Sequence, residues 1–145
     1  MSPNFEIHAP TARLLTWPAA RHWVPLLVGD ALGFDPKNEG HATYWTTQYP
    51  TVAVMQMAAL VAETKDQDFA EISLPAMFMF SDADTVVQPR VTREVAALWG
   101  GPVTLAPQIL QEGSDSGGHV ITGALISPAE VTGDVSEIIN FIRGL

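Results

Sequence analysis

The stretch "EISLPAMFMFSDADTVVQP", Glu71 to Pro89, decides how the chain folds. Pro75 opens a short apolar run whose length suits a strand buried on both faces of a sheet. The run breaks into an acidic turn carrying Asp82 and Asp84, and Pro89 then stands near the first position of a helix. In "QPRVTREVAALWGG" the residues Val91, Val95, Leu98 and Trp99 share one helical face, and Gly100 closes the element. "PVTLAPQIL" follows as a second candidate strand. At the end Asp134 reads as a helix cap with Glu137 in capping-box position, ahead of a buried stripe of Val135, Ile138, Ile139 and Ile142 that stops at Gly144.

Residues 71–145 therefore read strand, helix, strand, loop, helix, the alternation of an α/β unit with a parallel sheet. In such sheets the chemistry gathers at the carboxyl ends of the strands. Asp82 and Asp84 directly follow the first strand. His119, in "SDSGGHVITG", follows the second. Both should open on the same edge of the sheet. Asp84 alone reads more readily as a turn residue, and His119 alone as an ordinary loop histidine. Their shared placement favours an acid–base pair.

Upstream, Pro18 and Pro25 interrupt "TARLLTWPAARHWVPLLV", residues 11–28, which reads as short kinked helical pieces. Phe34, Tyr44 and Trp45 fall in a loop-like stretch. From Pro50 to about Glu63 an apolar run predicts a buried helix. The whole chain reads as a single domain of 145 residues, with a helical region over 1–70 and the α/β unit over 71–145.

Composition narrows the function. Sixteen acidic against seven basic side chains give a net charge of −9, which argues against nucleic acid as a partner. With no cysteine, disulfides, thiolate metal sites and cysteine nucleophiles are excluded. His8, His22 and His41 are scattered without metal-ligand spacing, so neither a metal nor another cofactor is expected. "MSPNFEIHAP" lacks the features of a signal peptide, and "TVAVMQMAALVA" is too short to span a bilayer. The expectation is a cytoplasmic chain without a membrane span.

The segments around Asp84 and His119 resemble the C-terminal part of an α/β-hydrolase of the esterase, lipase or thioesterase kind. "LPAMFMFSDADTVVQP" is similar to the family's segment carrying the catalytic acid, and "SGGHVITG" to its histidine turn before the last helix. The resemblance implies a partial α/β-hydrolase fold with Asp84 as the acid and His119 as the base. Residues 1–70 would form a helical lid-like region, in which Trp17, Trp23, Tyr44 and Trp45 shape an acyl-binding surface. "MSPNF" resembles the point where the chain leaves a preceding strand for that lid.

One family element is missing: no Gly-x-Ser-x-Gly nucleophile elbow occurs in these residues. "DSGG" at Asp115–Gly118 echoes the nucleophile motif of chymotrypsin-like proteases through Ser116, but a two-barrel fold does not suit this chain. "GSDSG" at Gly113–Gly117 puts an aspartate at the elbow position and has no helix directly after it. The expected function is thus the acid and histidine portion of a carboxylic-ester hydrolase, acting on a small acyl ester once a serine is supplied. The alternative is an inactive fragment that oligomerises or binds a small apolar ligand. Two parallel strands leave open edges, so a second copy or a complementary hydrolase half is the expected partner.

Overall fold

The computed structural model describes residues 2–145. A two-stranded parallel sheet is formed by β3 (Ala76–Phe80) and β4 (Val103–Pro107), with Ala76 opposite Val103 and Phe80 opposite Pro107. Helix α4 (Pro89–Leu98) connects them, with Pro89 in its first turn as the sequence implies. Side chains alternate across β3. Phe78 and Phe80 enter a core with Phe69, Val91, Val95 and Ala96, joined by Phe5 and Trp99. Met77 and Met79 turn to the other face, against Ala106, Ile121, Leu110 and Ile138. Helices thus flank a small parallel sheet, as expected for the α/β unit, although β4 is exposed except at Ala106.

The N-terminal region is helical with a small sheet of its own. A 3₁₀ turn over Pro10–Thr16 leads to α1 (Ala20–Val28), with Pro25 inside it. Strands β1 (Ala31–Gly33) and β2 (Gln48–Pro50) pair antiparallel around the short helix α2 (Glu39–Tyr44). Helix α3 (Thr51–Lys65) follows. Ala20 and Val24 pack on Met55, with Leu15 and Trp23 at the margin, which gives this layer a core separate from the sheet.

Several sequence expectations need correction. Helix α3 is not buried all round: Thr51, Met55, Ala58 and Val61 face inward, whereas Val52, Met57 and Leu60 are exposed. An apolar composition without a strong 3.6-residue bias gives no warning of which half lacks a cover. Helix α5 (Val131–Arg143) begins ahead of Asp134, not after it, because the 3₁₀ turn Pro128–Glu130 feeds straight into it. Asp134 therefore lies inside the helix with a buried carboxylate rather than at its cap. The supposed buried stripe is exposed at Val135, Ile139 and Ile142, and only Ile138 joins the core. Leu98 also faces solvent, since α4 ends there and the chain turns through Trp99.

The N-terminal segment runs beside the acid turn. Ser2 N–H donates to the Met79 carbonyl at 2.7 Å, and His8 N–H to the Val86 carbonyl at 2.8 Å. Ile7 and Val87 form an antiparallel bridge. No described residue makes a backbone hydrogen bond to Met77 on the outer edge of β3, or to Val103 and Leu105 on that of β4.

Candidate functional site

The two chain segments read as acid and histidine meet at the carboxyl end of the sheet. β3 stops at Phe80, and a tight turn brings Asp84 to 3% exposure. Its Oδ1 accepts the backbone N–H groups of Val86 and Val87 at 2.8 and 2.9 Å. These bonds fix the carboxylate plane and leave Oδ2 for a different partner. That partner is His119, whose Nδ1 lies 2.9 Å away.

An ionised carboxylate can only accept, so this contact selects the tautomer with the proton on Nδ1. Nε2 is then a bare acceptor. It has no hydrogen-bond partner among the described residues, and the His119 side chain retains 31% exposure. A fixed ring with a free basic nitrogen at a partly open surface is suited to taking a proton from an incoming group.

Asp82, the other acid of the turn, has a different task. Arg93 binds it bidentately at 3.2 and 2.6 Å, and the guanidinium also lies 4.9 Å from the Phe80 ring centroid. Asp82 thus holds α4 to the turn and leaves His119 to Asp84.

The loop that delivers His119 is built around Asp115. Asp115 Oδ2 accepts the N–H groups of His119 and Val120 at 3.0 and 2.8 Å, and Oδ1 accepts that of Gly117 at 3.2 Å. Lys37 pairs with Oδ1 from the N-terminal region. Burial alone would raise the Asp115 pKa, but the Lys37 bond and the three backbone donors outweigh it and bring it down to about 2. The Ser127 hydroxyl adds a tie, accepting from Asp115 N–H at 3.0 Å and donating to the Val120 carbonyl.

Two further contacts bring this loop onto the acid turn. Thr85 donates both its N–H and its hydroxyl to the Gly117 carbonyl, at 2.9 and 3.0 Å. Gly118 takes a φ of +68°, where a Cβ would approach the Ala83 carbonyl oxygen to 2.7 Å and Asp84 N to 3.0 Å. The glycine ahead of His119 is therefore required by the close approach of two backbones.

The four aromatic residues expected to shape an acyl surface do not gather around this pair. Trp17 and Tyr44 are exposed, and Trp23 donates its indole N–H to the Pro18 carbonyl in the N-terminal core. Trp45 packs edge-on against His41, with ring centroids 4.9 Å apart. None of them lines the open cleft of about 590 Å³ beside Asp84, bordered by His8, Gln88 and Arg93, which His119 does not line either. His41, which the sequence leaves undistinguished, is buried between Phe34 and Trp45 and accepts the Lys37 N–H at 3.1 Å. Lys37 and Asp115 are 78 positions apart. No local pattern could announce their pairing.

No serine among the described residues completes the pair. Ser81 Oγ accepts Ala83 N–H, Ser127 is engaged as described, and Ser116 makes no hydrogen bond to His119. No group of three or more potential ligands converges on a metal position among the described residues. Nor is any described helix long and apolar enough to cross a membrane. No family model, curated protein or solved structure matches this chain.

Proposed function

We propose that the chain supplies the acid and base of a serine-hydrolase site of the α/β-hydrolase kind, with Asp84 and His119 awaiting a serine from outside these residues. The observation that carries this reading is the 2.9 Å contact of His119 Nδ1 with Asp84 Oδ2, made by a buried carboxylate whose other oxygen is already occupied. In ester hydrolysis His119 Nε2 takes the serine proton as that oxygen attacks the acyl carbon. It then returns the proton to the departing alkoxide. In a second round it takes a proton from the water that attacks the acyl-serine and returns it to the serine oxygen as the acid leaves. Asp84 keeps the ring in the required tautomer and stabilises the imidazolium formed between these steps. The oxyanion donors come with the serine, as these residues offer no elbow.

A second reading, a catalytically silent fragment that oligomerises or binds a small apolar ligand, is favoured by the unpaired strand edges and by the exposed Leu60 and Ile142. Fluorophosphonate labelling followed by intact mass separates the two. The hydrolase reading expects no adduct on the 145-residue chain, and labelling of the native cellular assembly that collapses when His119→Ala is introduced. A stoichiometric adduct on the isolated chain would place an activated serine within it. An unlabelled native assembly would favour the silent fragment.

A further inference from the structure

Lys37 lies in the segment between β1 and α2, far in sequence from the acid and the histidine, yet its charge ends on the carboxylate that shapes the His119 loop. Asp115 gathers three N–H groups of that loop onto its two oxygens, and one of them belongs to His119 itself. Without a cation beside it, a carboxylate so buried is costly to keep ionised. Without Lys37 the ionised Asp115 loses its one charged partner, and the turn that aims the ring at Asp84 is held by its backbone bonds alone. Lys37 is itself held in place, because its N–H is bound by His41 Nδ1 in the Phe34–Trp45 aromatic cluster. Next to it, Asn38 donates through Nδ2 to the Leu125 carbonyl at 2.7 Å, a second tie to the loop that follows His119.

We propose that Lys37 is a positioning residue: through Asp115 it makes the orientation of His119 depend on the docking of the segment between β1 and α2. Movement of that segment, driven by whatever binds against it, loosens the histidine without touching the acid–base contact directly. This role rests on the hydrolase reading for its catalytic meaning, but the mechanical link can be tested without activity.

The test is amide hydrogen exchange and ring ¹⁵N NMR on the whole chain, comparing wild type with Lys37→Met and Lys37→Arg. The Lys37 side chain is half-exposed, so screening limits its contribution. Exchange at Gly117, His119 and Val120 is expected to quicken by about three- to tenfold in Lys37→Met, as for loss of one partly screened charge-assisted bond. The His119 ring shifts should move toward averaged tautomers, and Lys37→Arg should restore both. Unchanged exchange at these amides, or equal acceleration throughout α4 and the sheet, would overturn the proposal. If the amides respond but the wild-type ring lacks its proton on Nδ1, the link stands and the hydrolase reading fails.

Discussion

At the scale of single residues, the site depends on two buried carboxylates, Asp84 and Asp115, that each gather backbone N–H groups. Asp84 is satisfied by two backbone donors and one imidazole, so Asp84→Ala leaves the N–H of buried Val87, and that of half-exposed Val86, without their acceptor. A loss of about 2–3 kcal/mol is expected from urea unfolding. Gly118→Ala meets both an unfavourable positive φ and the Ala83 carbonyl. It should cost about 1–2 kcal/mol from the backbone conformation alone and disturb the His119 ring signals, measured by the same unfolding and by NMR. Asp115 contributes stability that is full above its unfolded pKa near 3.8 and is lost as pH falls toward about 2. Thermal melts between about pH 5 and 2 should show that loss, and Asp115→Asn should flatten it.

At the scale of elements, Asp134 shows where pattern reading and structure part. Asp followed three residues later by Glu, with Ile138, Ile139 and Ile142 at helical spacing after it, has every local mark of a helix start. The helix starts earlier because Pro128 begins a 3₁₀ turn that runs into it, which leaves Asp134 facing inward. Burial foremost raises its pKa, opposed by the Thr122 side chain and reinforced by the charges of Glu130 and Glu137. An acid with a raised folded pKa weakens the fold as pH climbs above its unfolded value. Asp134→Asn should therefore increase stability near neutral pH, by on the order of 1 kcal/mol in urea unfolding, with little gain in acid.

The strand and helix around Asp84 were legible because each carries its own punctuation: Pro75 and the apolar run, then Pro89 and a strong amphipathic face. That Asp84 and His119 share one edge of the sheet was legible from the strand–helix–strand alternation, whereas their 2.9 Å contact was not. The pairing of Lys37 with Asp115 was not, since it depends on how the helical layer docks. The exposed half of α3 was hidden for a related reason: an all-apolar helix does not say which side will be covered.

At the scale of the whole molecule, the two-stranded parallel sheet leaves backbone groups of Met77 on one outer edge, and of Val103 and Leu105 on the other, without a backbone partner among the described residues, while Ser2 covers the Met79 carbonyl. We propose that a second copy of the chain pairs across these edges. The Leu105 N–H points away from β3, so Leu105→Pro blocks the β4 edge without removing a bond of the existing pair. Sedimentation velocity at micromolar concentration should show wild-type chain as dimer or larger and Leu105→Pro shifted toward monomer. A wild-type monomer that unfolds cooperatively would contradict the edge argument.

The central claim is that Asp84 fixes the His119 ring with Nε2 free to act as a base. Ring ¹⁵N NMR of the isolated chain at neutral pH, for wild type and Asp84→Asn, tests it most directly. The wild type should show a protonated Nδ1 and a bare Nε2. In Asp84→Asn an amide that can donate replaces the carboxylate, and the proton should move to Nε2. Rapidly averaged shifts in the wild type, or shifts indifferent to the substitution, would mean that the two residues meet without the chemistry assigned to them.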